Sequence, residues 1–292
     1  MERAGEHGGI GGQRRPTLYV VATPIGNLRD ISLRALDVLK EVDAVAAEDT
    51  RVTARLLERH GISKRLIPVH EHNERRAVGA VLSLLSAGKS LALTSDAGTP
   101  AVSDPGALVV AAVREAGYAV VPIPGPNAAV TALSAAGLPS THFLFYGFLP
   151  QRAAERRRAL EALEALPYAL VFYEAPHRIL ASLADLATVL GGERRIVVAR
   201  ELTKIHESIH DGPLGEAREW VAADPDRARG EFVLIVEGAA PRVTDSADAH
   251  RTLGILLETL PVSQAVALAA KLTGGKRNEL YPLALQLKKR DK

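Results

Sequence analysis

The run SDAGTPAVSDPG, residues 95–106, has the composition of a loop that binds a small molecule. It follows an apolar segment at residues 91–94 and precedes an alanine-rich stretch with a helical pattern. Its two aspartates, two glycines and two prolines restrict the backbone and leave amide and carbonyl groups exposed. Open α/β sheets bind their ligands in loops of this kind, at the carboxyl ends of parallel strands. The sequence therefore predicts a ligand site at this loop.

Three further polar motifs also follow apolar runs. AEDTR at residues 47–51 and HEHNE at residues 70–74 end two successive apolar segments, and RELTKIHE begins at residue 200 after another. Charged residues at such strand ends are either ligand contacts or solvated surface charges, and RELTKIHE could equally form a surface salt-bridge set. HEHNE offers no obvious third metal ligand, so we predict no bound metal.

Two loops that contain proline and glycine complete the candidate binding segments. TPIGNLRD, residues 23–30, has one glycine where a dinucleotide fold requires G-x-G-x-x-G, which disfavours NAD and FAD. PIPGPNAAV, residues 122–130, runs into a helical pattern whose free amides could hold an anion or a carboxylate. Each loop could also be no more than a tight turn.

The elements that position these motifs alternate in type along the first half of the chain. Apolar runs predict strands at residues 18–22, 44–47, 66–69, 91–94 and 119–121. Amphipathic patterns predict helices after Arg29, Asn73 and Asp104, and the pair Asp104-Pro105 is typical of a capped helix start. This alternation predicts an α/β domain with a largely parallel sheet, which would bring the polar motifs to one edge.

The second half has a different order of elements. A charged helix is predicted at residues 151–166, a second helix runs to the Gly191-Gly192 pair, and strands are predicted at residues 169–173, 195–199, 205–210 and 232–236. We therefore predict a mixed α+β second domain. The predicted organisation is a disordered leader at 1–16, an α/β domain at 17–150, the second domain at 151–240 and a helical module at 241–292.

Composition excludes several classes of protein. The chain has 292 residues, of which 47% are apolar, so it can bury a large core. It has no cysteine, which excludes disulfides, thiolate catalysis and cysteine-bound metals. The sequence contains neither a long apolar span nor a signal peptide pattern, so we expect a cytoplasmic protein without a membrane partner.

Positive charge is concentrated at the carboxyl end. Residues 241–292 carry nine Lys or Arg against five Asp or Glu, whereas the whole chain has a net charge of only +2. This excess could neutralise RNA phosphates or could simply make the terminus soluble. The candidate RNA-binding residues are Lys271, Lys276, Arg277, Lys288, Lys289 and Arg290.

Taken in order, the motifs resemble one known family. TPIGNLRD, AEDTR, HEHNE, SDAGTPAVSDPG, PGPNA, GFLP, FYEAPHR and RELTK together resemble the ribosomal RNA small subunit methyltransferase I family, within the tetrapyrrole methylase superfamily. The resemblance covers about residues 17–240, and the tail resembles the family's small helical module. It implies a two-domain tetrapyrrole methylase-like fold. It also implies methyl transfer from S-adenosylmethionine to the ribose 2′-hydroxyl of a cytidine in the decoding region of 16S rRNA, by a homodimer.

The resemblance also implies site residues. The cofactor should lie in the cleft between the two domains, against Pro24, Gly26, Ser95, Asp96, Ala97, Gly98, Thr99, Gly125, Pro126, Asn127, Ala128, Phe172 and Tyr173. A ribose hydroxyl is a very weak acid, so transfer needs a base or a cation that stabilises the oxyanion. The candidates for base or orienting group are Glu48, Asp49, His72 and Asp96, and the candidate cations are Arg51 and Lys204.

Two other functions remain open on the sequence. Several superfamily relatives methylate porphyrin precursors, but they usually have a more glycine-rich first loop than TPIGN, which favours the RNA-modifying branch. The chain could also be a catalytically silent RNA-binding protein. The partner predicted from the resemblance is 16S rRNA or the small ribosomal subunit.

Overall fold

The computed structural model describes residues 15–139, 142–240 and 246–290. The chain divides into two compact units, one comprising residues 1–164 and 168–238, the other residues 165–167 and 239–292. The first unit holds both β-sheets, and the second holds the carboxyl-terminal helices. Of the predicted leader, only residues 15 and 16 belong to the described part of the chain.

The first sheet has five parallel strands in the order β3-β2-β4-β1-β5. The strands are β1 (Thr17–Val21), β2 (Ala44–Ala47), β3 (Arg65–Pro68), β4 (Leu91–Thr94) and β5 (Ala119–Ile123). Strands β2 and β4 are buried along their whole length, as expected for near-continuous apolar runs inside a parallel sheet. The predicted α/β class with a parallel sheet is confirmed.

Helices cover both faces of this sheet. They are α1 (Leu33–Glu41), α2 (Thr50–Arg59), α3 (Glu74–Ser86) and α4 (Ala107–Glu115), and α5 (Ala128–Ala135) follows β5. Side-chain caps start several of them: Ser32 accepts from the amide of Ala35, and Asn127 accepts from the amide of Val130. Apolar residues of α3 and α4 pack in one core cluster, and those of α1 and α2 pack in another.

Helix α4 corrects one prediction. The carboxylate of Asp104 does not cap this helix, whose N-cap is Gly106 with a φ of 130°. The cap comes instead from Glu74, whose Oε1 accepts the amides of Gly106 at 2.9 Å, Leu108 at 2.8 Å and Val109 at 3.4 Å. Glu74 is buried, and the amides at the helix amino terminus favour its negative charge. Asp104 is therefore not needed for the helix start.

The second sheet is mixed, as predicted. Its order is β6-β7-β10-β8-β9, with β6 parallel to β7 and the other pairs antiparallel. The strands are β6 (Phe143–Phe148), β7 (Ala169–Glu174), β8 (Arg195–Arg200), β9 (Ser208–Pro213) and β10 (Phe232–Val236). Two boundaries differ from the predictions. The sheet begins with β6, before residue 150, and β9 begins at Ser208 because residues 201–206 form turns.

Helix α5 packs against the second sheet and so joins the two halves of the first unit. Its small residues Ala129 and Ala132 contact a core cluster that contains Val171 of β7, Val197 of β8 and Val233 of β10. The other helices of this half are α6 (Ala153–Glu161), α7 (Ile179–Leu190) and α8 (Leu214–Ala222), and α7 ends at Gly191 as predicted.

The second unit is a three-helix module with its own core. Its helices are α9 (Ser246–Leu257), α10 (Val262–Thr273) and α11 (Arg277–Arg290). Leu253, Ala265, Ala269, Leu280 and Ala284 pack together at its centre. The predicted helical carboxyl-terminal module is confirmed. In the described part of the chain, no helix is both long enough and apolar enough to cross a membrane.

Candidate active site

A cavity of about 360 Å³ lies at the carboxyl end of β4, between the loops of the two sheets. This volume falls within the range of small-molecule sites. Its lining residues are Ile25, Ala97, Gly98, Thr99, Val102, Asp104, Asn127, Ala128, Phe148, Tyr173, Glu174, Ala175, Pro176, Leu202, Glu231, Phe232 and Val233. Most of the wall is apolar, and the polar contribution comes from a few side chains and from the loop backbone.

The SDAGTPAVSDPG loop is fixed in an unusual conformation beside this cavity. Gly98 pairs with Thr23 through two backbone hydrogen bonds, of 2.8 and 3.0 Å, which tie the loop after β4 to the loop after β1. Ala101 has a φ of 65° and Ser103 a φ of 64°. Residues other than glycine rarely adopt this left-handed conformation, and where they do the site is often functional. The sequence prediction of a constrained ligand loop agrees with this backbone.

The TPIGN loop after β1 and the RELTK loop after β8 form a close contact, which we call the clasp (residues 23–27 with residues 200–204). The amide of Asn27 donates to Oγ1 of Thr203 at 3.0 Å. A Cβ atom on Gly26 would lie 2.5 Å from Cγ of Lys204 and 2.7 Å from Oγ1 of Thr203. Only glycine permits this approach. Because Ile25 and Leu202 line the cavity, the clasp sets the distance between two of its walls.

Four of the predicted catalytic residues lie together at the rim of the first sheet. The amide of Asp49 donates to Oδ1 of Asp96 at 2.9 Å, and the amide of Asp96 donates to Oε2 of Glu48 at 3.1 Å. The guanidinium of Arg51 forms an ion pair with Asp49, with 2.6 Å between Nη2 and Oδ2. Hydrogen bonds from Arg51 lower the pKa of Asp49 to about 2, whereas burial raises the pKa of Glu48 and of Asp96.

Asp104 is an acid of this site that the sequence analysis did not select. It lines the cavity and is half-buried. Burial is the largest cause that raises the pKa of Asp104 to about 6, and the negative charges of Glu48 and Asp96 add to it. A hydrogen bond from Ser95 lowers this pKa in part. The site therefore holds a carboxylate that protonates near neutral pH.

Comparison with known proteins gives the chain its family. The family model described as Tetrapyrrole (Corrin/Porphyrin) Methylases matches residues 17–218, and the RsmI C-terminal HTH domain matches residues 243–288. Ribosomal RNA small subunit methyltransferase I of Escherichia coli O157:H7 is 54% identical over 270 residues, which cover 92% of this chain and 94% of that one. The chain belongs to the ribosomal RNA small subunit methyltransferase I family. The protein of the same name from Pseudomonas aeruginosa is 55% identical over 273 residues, covering 92% and 97%.

Solved structures match the fold of this member of the ribosomal RNA small subunit methyltransferase I family. The methyltransferase CobJ aligns with a TM-score of 0.59 at 21% identity, covering 78% of this chain and 96% of that one. Uroporphyrin-III C-methyl transferase from Thermus thermophilus, complexed with S-adenyl homocysteine, aligns with a TM-score of 0.53 at 19% identity, covering 76% and 97%. These likenesses show that the two-sheet unit has the tetrapyrrole methylase fold.

The cavity fits S-adenosylmethionine, the cofactor that the sequence resemblance of this ribosomal RNA small subunit methyltransferase I family member implies. The apolar wall formed by Ile25, Leu202 and Val233 suits an aromatic base. Asp104, whose pKa is raised by burial and by like charges, would be stabilised in its ionised form by a nearby cation such as a sulfonium. Bound there, the cofactor supplies an activated methyl group.

The structure divides the predicted cofactor residues into two groups. Those that line the cavity are Ala97, Gly98, Thr99, Asn127, Ala128 and Tyr173. Those in the adjoining loops that do not line it are Pro24, Gly26, Ser95, Asp96, Gly125 and Pro126. Phe172 is fully buried against the ring of Tyr146 on the other face of β7, because successive strand residues point to opposite faces. Of the two predicted aromatic contacts, only Tyr173 faces the cavity.

None of the six predicted catalytic residues lines the cavity, and the two that lie away from the rim are Lys204 and His72. The Lys204 ammonium forms ion pairs with Glu201 at 2.8 Å and with Glu231 at 3.0 Å, so its charge is largely neutralised within the clasp. His72 is exposed, and its ring lies edge-on to that of His70 at 6.2 Å between centroids. These positions favour a structural role for Lys204 and do not connect His72 with the cavity.

Most of the residues missed by sequence analysis are apolar wall residues without a chemical signature. The acids Asp104, Glu174 and Glu231 are exceptions, and the FYEAPHR motif contains Glu174. Its side chain is fully buried, and its carboxylate accepts hydrogen bonds from Arg178 at 2.6 Å, from Ser182 at 2.5 Å and from the amide of Ala175 at 2.8 Å. Glu174 thus fixes the cavity wall at the end of β7 and has no charge to offer a ligand.

Proposed function

We propose that this protein transfers the methyl group of S-adenosylmethionine to the ribose 2′-hydroxyl of a cytidine in the decoding region of 16S rRNA. The observation that carries this proposal is the identity of 54% with an rRNA small subunit methyltransferase over 92% of the chain, a length that includes the carboxyl-terminal module. The cavity, with its apolar wall and its ionisable acid, supports the cofactor-dependent part of the reaction.

The chain's own residues position the reactants in this proposal. The backbone at residues 97–99 and the amino terminus of α5 hold the cofactor, and Tyr173 closes the cavity on the second sheet. The Tyr173 hydroxyl accepts a hydrogen bond from the amide of Ala129 at 3.2 Å, which keeps the ring in place. Correct alignment of nucleophile and methyl donor can supply about 7 to 11 kcal/mol of barrier reduction. Positioning is therefore the main catalytic contribution that we assign to the cavity.

The rim residues have a different part in the proposal. Glu48, Asp49 and Asp96 set the electrostatic potential at the mouth of the cavity, and Arg51 is the cation closest to them. The Arg51 side chain is 83% exposed, which leaves its guanidinium accessible to an RNA phosphate. We propose that Arg51 contacts the substrate backbone beside the site of transfer.

The experiment that tests the function uses methyl-labelled S-adenosylmethionine with isolated small ribosomal subunits, with bare 16S rRNA and with a tetrapyrrole precursor as separate substrates. The RNA is then digested to nucleosides. We expect label in 2′-O-methylcytidine from one or both RNA substrates. Label in the tetrapyrrole alone would identify a small-molecule methyltransferase, and RNA binding without transfer to any substrate would identify a silent RNA-binding protein. Either result would contradict the proposal.

Salt dependence tests the proposed RNA-binding role of the carboxyl-terminal module. Lys271, Lys276, Arg277 and Lys288 are exposed, whereas the side chains of Lys289 and Arg290 lie outside the described residues. Replacing Arg277 with alanine should weaken RNA binding and reduce the slope of log affinity against log salt by roughly 0.7 to 0.9 for each phosphate that is no longer neutralised. Binding measured by filter retention between low and physiological salt checks this.

The matched control for the RNA-binding measurement is Lys89→Ala. Lys89 is also exposed, but it precedes β4, at the end of the first sheet opposite the cavity. Its replacement should leave both affinity and salt slope unchanged. Equal slopes for the wild type and Arg277→Ala would show that Arg277 does not bind the RNA.

The resemblance to the family implies a homodimer, the sequence pattern led us to expect a cytoplasmic protein, and we retain both as proposals. Sedimentation equilibrium of the full chain tests the dimer. A monomer at micromolar concentration would contradict it.

A further inference from the structure

Asp104 is a half-buried acid that takes no part in capping the helix after it, although Ser95 gives it a hydrogen bond. The helix that follows it is capped by Glu74, which occupies the amides that Asp104 was expected to satisfy. Within residues 15–139, 142–240 and 246–290, no lysine or arginine forms an ion pair with Asp104. A half-buried carboxylate without a cation is costly in the folded state, so its position in a cavity wall points to a chemical role.

The backbone holds Asp104 towards the cavity. Ser103, directly before it, has a φ of 64°, and the amide of Ala101 donates to the carbonyl of Pro105 at 3.3 Å across the turn. Strain of this kind persists only where the surrounding structure fixes it. Gly147 of β6 packs closely on this turn, since a Cβ there would lie 2.7 Å from Oγ of Ser103. The second sheet thus supports the turn from outside.

The groups that face Asp104 set its proton affinity. Glu48 and Asp96 approach from the ends of β2 and β4, and their negative charges raise its pKa, in addition to the larger effect of burial. The Tyr173 phenol faces it from β7, and the negative charge of Asp104 contributes to a raised pKa for that phenol. The result for Asp104 is a pKa of about 6, near the pH at which a general base is most effective.

The other carboxylates of the cavity wall are already engaged. Glu174 accepts hydrogen bonds from Arg178 and Ser182, and Glu231 is ion-paired with Lys204. The charge of Glu174 is used by Arg178 in the interior, and the charge of Glu231, whose side chain is 75% exposed to solvent, is balanced by Lys204. Asp104 is therefore the acid in the cavity wall that remains available for proton transfer.

We propose that Asp104 is the general base that accepts the proton of the ribose 2′-hydroxyl. This assignment rests on the proposed function. The ribose oxygen forms a bond to the methyl carbon while the bond between that carbon and sulfur breaks. The electron pair of the broken bond stays on sulfur. The hydroxyl proton passes to a carboxylate oxygen of Asp104, which becomes a neutral acid and then releases the proton to water. Charge and atoms balance without a further reactant.

The central variant is Asp104→Asn, which keeps the shape of the side chain and removes the base. Its single-turnover rate at saturating cofactor and RNA should fall by about 10²- to 10⁴-fold, the usual contribution of a general base. Saturation removes any effect of weaker cofactor binding from this rate. Calorimetric titration with S-adenosylmethionine shows whether the variant is folded and competent to bind. Asp37→Asn, at an exposed position of α1, is the matched control and should react at the wild-type rate.

The pH profile gives a readout that a purely structural role would not change. In the wild type, kcat/KM should fall tenfold per pH unit below the pKa of Asp104, about 6 in the free protein. In Glu48→Gln this acidic limb should move to lower pH, because a like charge has been removed. NMR titration of the Asp104 carboxyl carbon in the free protein should show the same shift without any catalysis.

The outcomes distinguish this inference from the proposed function. If the wild type methylates RNA and Asp104→Asn does so at a similar rate, Asp104 is not the base, although the function stands. The assignment would also be overturned if the acidic limb of the kcat/KM profile lay at the same pH in Glu48→Gln as in the wild type. If the wild type binds S-adenosylmethionine but transfers no methyl group to ribose, the proposed function fails and the assignment fails with it.

Discussion

Replacing Gly26 with alanine is expected to weaken binding of S-adenosylmethionine by about tenfold or more. The new Cβ would lie 2.5 Å from Cγ of Lys204 and 3.0 Å from the carbonyl oxygen of Leu202, and the backbone of the second loop cannot yield as a flexible side-chain end can. Overpacking of this kind costs about 1 to 3 kcal/mol, and 1.4 kcal/mol corresponds to a factor of ten in affinity. Separation of the two loops would move Ile25 and Leu202, both of which line the cavity.

Gly79→Ala is the control for this substitution. Gly79 lies within α3, and no atom lies within 4 Å of the position its Cβ would take. Alanine there should stabilise the helix by roughly 0.5 to 1 kcal/mol and leave cofactor affinity unchanged. Calorimetric titration of both variants with S-adenosylmethionine gives the comparison. Wild-type affinity in Gly26→Ala would show that the clasp does not control the cavity.

The first sheet was predictable because local sequence determines it. Strands β2 and β4 are short apolar runs buried on both faces, so their residue types alone specify a central parallel strand. The helix after Arg29 was equally clear, since Ala35 and Val38 are buried at helical spacing, although the helix begins at Leu33 and Ile31 precedes it. The polar motifs at strand ends then had to meet at one edge. This is why Glu48, Asp49 and Asp96 were found together.

Interactions between residues distant in sequence account for the errors. The cap of α4 comes from Glu74, 32 residues before Gly106, so a local rule assigned it to Asp104. Strand β6 was missed because its residues FLFYGF do not alternate between apolar and polar types, and it is held by pairing with β7, with a register shift between Phe145 and Gly147. The start of β9 was misplaced because the turns before it contain Thr203 in the left-handed region.

The limits of prediction at the site have the same cause. Sequence analysis selects residues by chemical type, so it found most of the polar rim and six of the residues that line the cavity. Leu202, Phe232 and Val233 line it only because the second sheet brings their positions to the first. Asp104 was recognised but given the wrong task, since nothing local reveals that another acid has capped the helix. The fold brings Glu74 to the amides at the start of α4, and those amides are then no longer open to Asp104.

Replacing Asp185 with alanine should lower the free energy of unfolding by about 3 to 5 kcal/mol, because it would leave the buried charge of Arg156 without a partner. The Arg156 side chain is 5% exposed, and its guanidinium lies 2.6 Å from Oδ2 of Asp185. The same guanidinium donates to the carbonyls of Pro150 at 3.3 Å and Gln151 at 3.0 Å, just after β6. The pair therefore anchors the segment that follows Phe148 of the cavity wall.

Denaturation by urea measures this change, and two further variants isolate its cause. Glu155→Ala breaks an exposed pair in which the Arg152 side chain is 83% accessible, and should cost less than about 0.5 kcal/mol. The double variant Arg156→Met with Asp185→Leu removes both charges and should recover most of the stability, because no uncompensated charge then remains buried. If Asp185→Ala were as stable as Glu155→Ala, the ion pair would contribute no more than an exposed pair does. In that case the pair would not anchor the segment that follows β6.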